Sequence, residues 1–212
     1  MVFWITNLAA FGGAYLLGSI PTAYLVGKGL YGLDVRELGS RSVGATNALR
    51  VLGAWPALVV LLVDVLKGVA AIVLARWLCS QMLAPDQQTS TPWTVGLAGL
   101  AALLGHSRSI WLKFSGGKSV ATGLGVVLAL SWPVALGALA AFGVVMAVFR
   151  IVSLGSILAA VMAIGLICGL EQPLPYRLLV VAGGVYVVAR HRANIKRLLA
   201  GTEPRIGHSP GR

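Results

Sequence analysis

The sequence predicts an all-α integral membrane protein, a compact bundle of seven transmembrane helices with its N-terminus outside the cell and its C-terminus in the cytoplasm. Three observations predict it. Of 212 residues, 58% are hydrophobic and only 11% charged, far from soluble globular composition. The apolar residues gather into seven separate stretches. The basic residues fall on alternate connections between those stretches. Residues 1–212 are expected to form a single domain.

The apolar stretches cover residues 3–26, 55–78, 93–104, 119–130, 134–149, 154–170 and 175–189. No Lys or Arg precedes Lys28, so the first stretch lacks the basic flank of a cleaved signal peptide and reads as a retained span. The second carries Asp64 and Lys67 at i,i+3 spacing. A lone charge near the bilayer centre costs ~2.5–3.5 kcal/mol, so the expectation is an internal ion pair that locks this helix into the bundle, rather than a substrate contact. Ser131-Trp132-Pro133 separates the fourth stretch from the fifth, because proline restricts the residue before it and has no N–H to donate. Several stretches fall short of the ~20 residues a perpendicular crossing needs, which requires shelter by neighbours or extension into the loops. The 27 glycines, many within spans, permit close helix approach.

With seven spans, segments 27–54, 105–118, 150–153 and 190–212 share one face and carry four, three, one and six of the seventeen basic residues. Only Arg76 and Arg177 lie opposite, and Lys67 lies inside a span. That asymmetry assigns the shared face to the cytoplasm, whereas merging the fourth and fifth spans would throw the last two basic segments outside. The formal charge of +11 does not indicate nucleic acid, because the basic residues sit in short loops and form no continuous arm or patch. Cys79 and Cys168 are the only cysteines, so neither a disulfide framework nor a thiolate zinc site is available. Buried free thiols are expected, with a single disulfide near the outer face as the alternative. Three scattered histidines and few carboxylates offer no metal cluster, and no cofactor is expected.

Every loop rich in polar residues gathers on the cytoplasmic face. Residues 105–125 place His106, Arg108, Lys113 and Lys118 beside Gly116-Gly117 with no acidic residue to balance them. Adjacent glycines let backbone N–H groups converge, and Val120-Ala121-Thr122 can open a helix whose first-turn amides favour an anion. A nucleotide P-loop is rejected, since Leu112 stands where its first glycine belongs and no strand precedes it. The competing reading is a flexible basic loop that only orients helices.

The segment from Asp34 to Arg50 is dense in hydroxyl, amide and guanidinium groups, which suit either phosphate oxygens or helix capping. Ser153 and Ser156 stand three apart at a helix start, where capping explains them as well as substrate contact does. In the tail, Arg190, Arg192, Lys196 and Arg197 suit anionic lipid, while His191 and Asn194 at i,i+3 can face the bundle.

Together these motifs resemble the bacterial acyl-phosphate:glycerol-3-phosphate acyltransferases over nearly the whole chain. The resemblance rests on Gly18-Ser19-Ile20-Pro21, the segment from Gly39-Ser40 to Arg50, Leu62-Val63-Asp64 through Lys67-Gly68, and Gly105-His106. It continues through Phe114-Ser115-Gly116-Gly117-Lys118, Val120-Ala121-Thr122, Ser153-Leu154-Gly155-Ser156-Ile157, His191-Arg192-Ala193-Asn194-Ile195 and Gly201-Thr202-Glu203. The chain departs from the family pattern in having Arg41-Ser42 for Gly-Asn and Ser119 for Gly, and it lacks the proline common a few residues after Gly-His. At Ser119 a serine passes if the backbone dihedrals are ordinary, and its hydroxyl then adds to the substrate-binding set.

The resemblance implies seven spans, a bacterial inner-membrane location and a cytoplasmic active site where the motif loops meet. It implies transfer of an acyl group from acyl phosphate to the 1-hydroxyl of glycerol 3-phosphate, giving lysophosphatidic acid. Carried over residue by residue, Thr46, Asn47, Gly116, Gly117, Lys118, Ser119 and Ser156 bind substrate. Ser40, Arg50, His191 and Asn194 serve the reacting centre, and Glu203 is structural. The implied partners are both substrates, membrane lipids and a soluble enzyme that makes acyl phosphate.

The donor is already activated, so alignment and charge stabilisation suffice. Either His191 or the donor's own phosphate accepts the proton, and an acyl-enzyme on Ser40 is disfavoured for want of a paired base. None of His106, His191 and His208 has an Asp five positions later, the pattern frequent among acyl-CoA-dependent enzymes. The rival reading is a transporter for an anionic metabolite, which would need polar residues along the outer halves of the spans.

Overall fold

The structure, a computed structural model, describes residues 1–207; His208 and Arg212, named or counted above, lie outside the described residues. The chain is helical, with no strand among the described residues, and divides at Leu130 and Ser131 into two compact units. The first holds α1 (Val2–Ser19), α2 (Thr22–Tyr31), α3 (Ala45–Val51), α4 (Ala54–Met82), α5 (Thr91–Ser107) and α6 (Val120–Leu130). The second holds α7 (Trp132–Phe149), α8 (Val152–Gly169), α9 (Leu174–Arg190) and α10 (Arg192–Leu199).

Each of the seven apolar stretches is helical, the first in two pieces. Among the described residues, four helical stretches are both long and apolar enough to cross a membrane: Val2–Tyr31, Ala54–Met82, Trp132–Phe149 and Val152–Gly169. α5, α6 and α9 are shorter, at 17, 11 and 17 residues. Pro92, Pro133 and Pro175 stand in the first turns of α5, α7 and α9, where a missing N–H removes no helical bond. The break between α6 and α7 is a single extended residue, Ser131, tighter than the three-residue turn expected.

In the first unit α1 lies against both α5 and α4, and α4 also carries α6 and α3. The Thr94 hydroxyl donates to Asn7 Oδ1 at 2.8 Å, Tyr15 donates to the Arg108 carbonyl at 2.7 Å, and Ser109 donates to the Ser19 carbonyl at 2.6 Å. α1 and α5 therefore run parallel, with their C-terminal ends together. Glycine brings the two backbones into contact, since a Cβ at Gly18 would strike the Ala102 carbonyl and one at Gly105 would strike the Tyr15 carbonyl. Gly68 and Gly125 do the same between α4 and α6.

The apolar stretch over residues 3–26 is interrupted at Ile20-Pro21, because Pro21 has no N–H to continue the helix. The break leaves the Ile20 carbonyl open to a side chain, and the Lys67 ammonium donates to it at 2.9 Å. Lys67 also pairs with Asp64 at 2.7 Å, both side chains at 3% exposure or less. The expected internal ion pair is present, and it ties α4 to the α1–α2 break.

In the second unit α8 packs on α7 and α9, and α9 leads into α10. Both cysteines are free, but only Cys79 is buried; Cys168, expected to be buried too, is exposed on its helix.

Candidate active site

In the first unit two loops lie at the end where α1 and α5 finish. Leu112 between α5 and α6 packs in one apolar cluster with Val35, Val43 and Ala48 of the segment before and within α3. That segment folds around Asn47, which is 1% exposed. Its amide nitrogen donates to the Val35 carbonyl at 2.8 Å and the Leu38 carbonyl at 3.2 Å. Its amide oxygen accepts from the Ser40 N–H at 2.8 Å and the Ser40 hydroxyl at 3.1 Å.

Gly39 makes the close turn possible, with φ of +57° and no room for a Cβ beside the Asn47 side chain. Asn47, expected to touch substrate, thus holds residues 35–40 and aims Ser40. Ser40 and Arg50 are exposed and Thr46 is half-buried. No side chain caps α3, whose N-cap is Gly44. Arg36 donates to both Asp34 oxygens and lies over the Tyr24 ring at 4.7 Å. Its hydrogen bond holds the Asp34 carboxyl down at about 2, so this pair is internally neutral.

Between α5 and α6 the chain folds back on the last turn of α5. The Gly117 N–H donates to the His106 carbonyl at 3.1 Å, and the Ser119 hydroxyl donates to the Leu103 carbonyl at 2.7 Å. The His106 carbonyl, one of those the helix end leaves open, is thereby satisfied by the loop itself. A Cβ at Gly116 would strike the His106 carbonyl, and one at Gly117 would strike His106 Nε2. The glycine pair is there for close approach. The Gly117 amide, expected to join an anion nest, is committed to His106.

Ser119 has φ of +62°, in the left-handed region, so its dihedrals are not the ordinary ones that the substitution was expected to require. Its buried hydroxyl points to Leu103. Arg41, the other departure from a family glycine, also has positive φ, at +57°. Lys118 is half-buried two residues before Val120, where α6 opens as expected.

Behind this loop Asp64 Oδ1 accepts from the Thr22 hydroxyl at 3.0 Å and lies 3.7 Å from His106 Nδ1. His106 is itself 6% exposed.

In the second unit the polar groups assemble on Glu203. α10 closes in a left-handed turn at Gly201, φ +69°, with Gly201 N–H donating to Leu198 and Thr202 N–H to Arg197. This brings Glu203 back under the helix. Its carboxylate accepts from Ser153 at 2.7 Å, Asn194 at 2.6 Å and Arg197 at 2.7 Å. Burial alone would raise this carboxyl, but those three hydrogen bonds outweigh it and hold the group below its ordinary value.

Glu203, for which a structural role was expected, gathers these three groups, and its bond orients Asn194. The capping expected of Ser153 and Ser156 does not occur: Ser153 donates to Glu203, and Ser156 donates back to the Val152 carbonyl at 2.8 Å. His191 sits at the corner of α9 and α10 with Nδ1 2.8 Å from the Val187 carbonyl. A carbonyl only accepts, so Nδ1 carries the hydrogen and Nε2 is the basic nitrogen of the neutral ring.

Sequence reasoning missed the positioning groups. Ser109 and Leu103 act through a carbonyl partner or as one, which no side-chain pattern signals. The Gly105-His106 pair was the available pointer to the contact beneath Gly117. No cluster of three metal-ligating side chains occurs among the described residues.

The glycerol-3-phosphate acyltransferase family model matches residues 8–201. The chain is 65% identical to glycerol-3-phosphate acyltransferase 2 of Rhizobium johnstonii, over 98% of this chain and 99% of that protein. It is 55% identical to a glycerol-3-phosphate acyltransferase of a Synechococcus strain, over 98% and 97%. It superposes on the crystal structure of PlsY (YgiH), an integral membrane glycerol 3-phosphate acyltransferase, in the glycerol 3-phosphate form, with a TM-score of 0.85 and 36% identity over 95% of this chain and 96% of that one. The same protein's lysophosphatidic acid form gives 0.83. The matches span the chain rather than one motif, they decide for an acyltransferase over an anion transporter, and the chain belongs to the glycerol-3-phosphate acyltransferase family of integral membrane enzymes.

Proposed function

We propose that this enzyme moves an acyl group from acyl phosphate to the 1-hydroxyl of glycerol 3-phosphate, acting as a single domain of seven spans at the cytoplasmic face of a bacterial inner membrane. The observation that carries the reading is Lys118, set at the N-terminal end of α6 by a loop clamped to α5. An ammonium beside open helix amides suits a phosphate dianion. The glycerol 3-phosphate form of PlsY supports that substrate, and its lysophosphatidic acid form supports that product. The distribution of basic residues supports the orientation, and the apolar α5, α6 and α9 support three further spans.

In the first unit Lys118 and Thr46 hold the glycerol 3-phosphate, with Gly116, Gly117 and Ser119 fixing the loop and Asn47 aiming Ser40; in the second, the family resemblance makes Ser156 a substrate ligand. Arg50 forks onto phosphate oxygens of the donor. The 1-hydroxyl oxygen bonds to the acyl carbon, the bond from that carbon to the phosphate oxygen breaks, and the proton passes to the departing phosphate. His191 Nε2 accepts a hydrogen bond from the attacking hydroxyl, and Asn194 orients the glycerol. A soluble enzyme supplies acyl phosphate.

Purified protein should acylate glycerol 3-phosphate with acyl phosphate and not with acyl-CoA. Lys118→Ala should raise KM for glycerol 3-phosphate about 10- to 100-fold, the worth of a charge-assisted phosphate contact. An unchanged KM would remove the loop from the site.

A further inference from the structure

We propose that His106 and Asp64 are positioning residues for the reaction, setting the Gly116-Gly117-Lys118 loop from behind without touching substrate. The inference rests on the reading of Lys118 as the phosphate ligand. His106 meets the loop twice. Its carbonyl accepts the Gly117 N–H at 3.1 Å, and its ring lies so close beneath Gly117 that a Cβ there would land on Nε2. Where the ring goes, Gly117 goes, and Lys118 is the next residue.

The ring is in turn backed by Asp64, 3.7 Å from Nδ1 and 1% exposed. That carboxylate is fixed by Lys67 at 2.7 Å and Thr22 at 3.0 Å, and Lys67 is anchored on the Ile20 carbonyl at the proline break. A chain of polar contacts thus runs from the α1–α2 break through α4 to the end of α5 and the loop.

A net gain in stability is a weak account of this chain. A buried ion pair gains little over apolar packing of the same volume, because desolvation offsets the Coulombic attraction. Asp64 Oδ2 is also left buried without a hydrogen-bond partner among the described residues. What the arrangement supplies is a fixed ring beneath a glycine, next to the lysine that must meet a phosphate.

The experiment measures KM for glycerol 3-phosphate, kcat and the thermal unfolding midpoint for the full chain in detergent. His106→Asn keeps a polar atom near the Nδ1 position but withdraws the surface under Gly117, whereas His106→Gln keeps an atom near the Nε2 position. His106→Asn should raise KM about 5- to 20-fold with kcat within twofold, and His106→Gln should raise it less. A purely structural role would lower kcat through loss of active protein and leave KM alone, and that result, or no change in either, overturns the proposal.

If His106→Asn does not fold, Gly117→Ala tests the contact from the loop side and should raise KM likewise; an unchanged KM there overturns the proposal. Asp64→Asn made with Lys67→Met, so that no lone charge is buried, should raise KM in the same direction, and a wild-type KM overturns the part assigned to Asp64. An unchanged KM in Lys118→Ala removes the phosphate reading and this inference with it. A raised KM in Lys118→Ala with a normal one in His106→Asn overturns this inference alone.

Discussion

The polar end of the first unit and the corner of the second solve the same problem with different chemistry. Near α3, the neutral amide of Asn47 holds residues 35–40, and near α5 backbone carbonyls hold residues 115–119. At the α9–α10 corner one carboxylate, Glu203, holds Ser153, Asn194 and Arg197 at once. The first design rests on neutral hydrogen bonds of about 1 kcal/mol net each, four of them made by Asn47 alone, while the second rests on one charged group whose bonds are each worth more. Removing the charged group should therefore harm its unit more than loss of one neutral bond harms the other.

The comparison breaks most sharply at Glu203→Ala. Truncation leaves the buried Ser153 hydroxyl and Asn194 amide without their acceptor, and Arg197 without its counter-charge. A loss of about 3 kcal/mol is expected, read as a lower thermal unfolding midpoint in detergent. A midpoint equal to wild type would mean that the corner is held by packing instead.

Acid sharpens the comparison at intermediate cost. The folded-state carboxyl of Glu203 lies below the ordinary value of 4.5, so its stabilisation is fully present above that value. It is lost as pH falls from 4.5 through the depressed folded value. Unfolding midpoints of wild type and Glu203→Gln, followed from pH 7 downward, should differ at neutral pH and converge in acid. The Asp34 carboxyl, held at about 2, titrates lower and is common to both proteins, so it cancels in the difference. The amide of Asn47 has no proton to gain, and its latch should be indifferent to this range.

Much of this architecture was legible beforehand, because hydrophobic runs and basic loops are written in composition. The Asp64–Lys67 pair followed from the expense of isolated charge in lipid. The helix over 120–130 followed from the apolar run after Lys118. What escaped was mediated by main chain.

Asn47 looked like a ligand because an amide in a polar loop has no visible partner until the loop closes around it. The Gly116-Gly117 pair looked like an anion nest because glycine freedom and glycine smallness leave the same letter in a sequence. Here smallness against His106 is the reason. The capping expected of Ser153 and Ser156 failed because the acceptor of Ser153, Glu203, lies fifty residues on and arrives through a turn at Gly201.

The finest expected effect separates Ser119 from Arg41, two non-glycine residues that both occupy left-handed backbone where the family pattern has glycine. For an L-residue this conformation costs roughly 1–2 kcal/mol, and glycine relieves it. At Arg41 the side chain is exposed, so Arg41→Gly should gain about 1 kcal/mol. At Ser119 the same relief is offset by losing the hydroxyl bond to the Leu103 carbonyl, worth about 1 kcal/mol, so Ser119→Gly should come out near neutral. Ser119→Ala keeps the strain and loses the bond, and should cost about 1 kcal/mol or more. Thermal midpoints of the three variants in one detergent should therefore rank Arg41→Gly, Ser119→Gly, Ser119→Ala. If Ser119→Ala matched wild type, the hydroxyl would not be clamping the loop to α5, and the contrast between a neutral, distributed latch and an ionic hub would lose its first member.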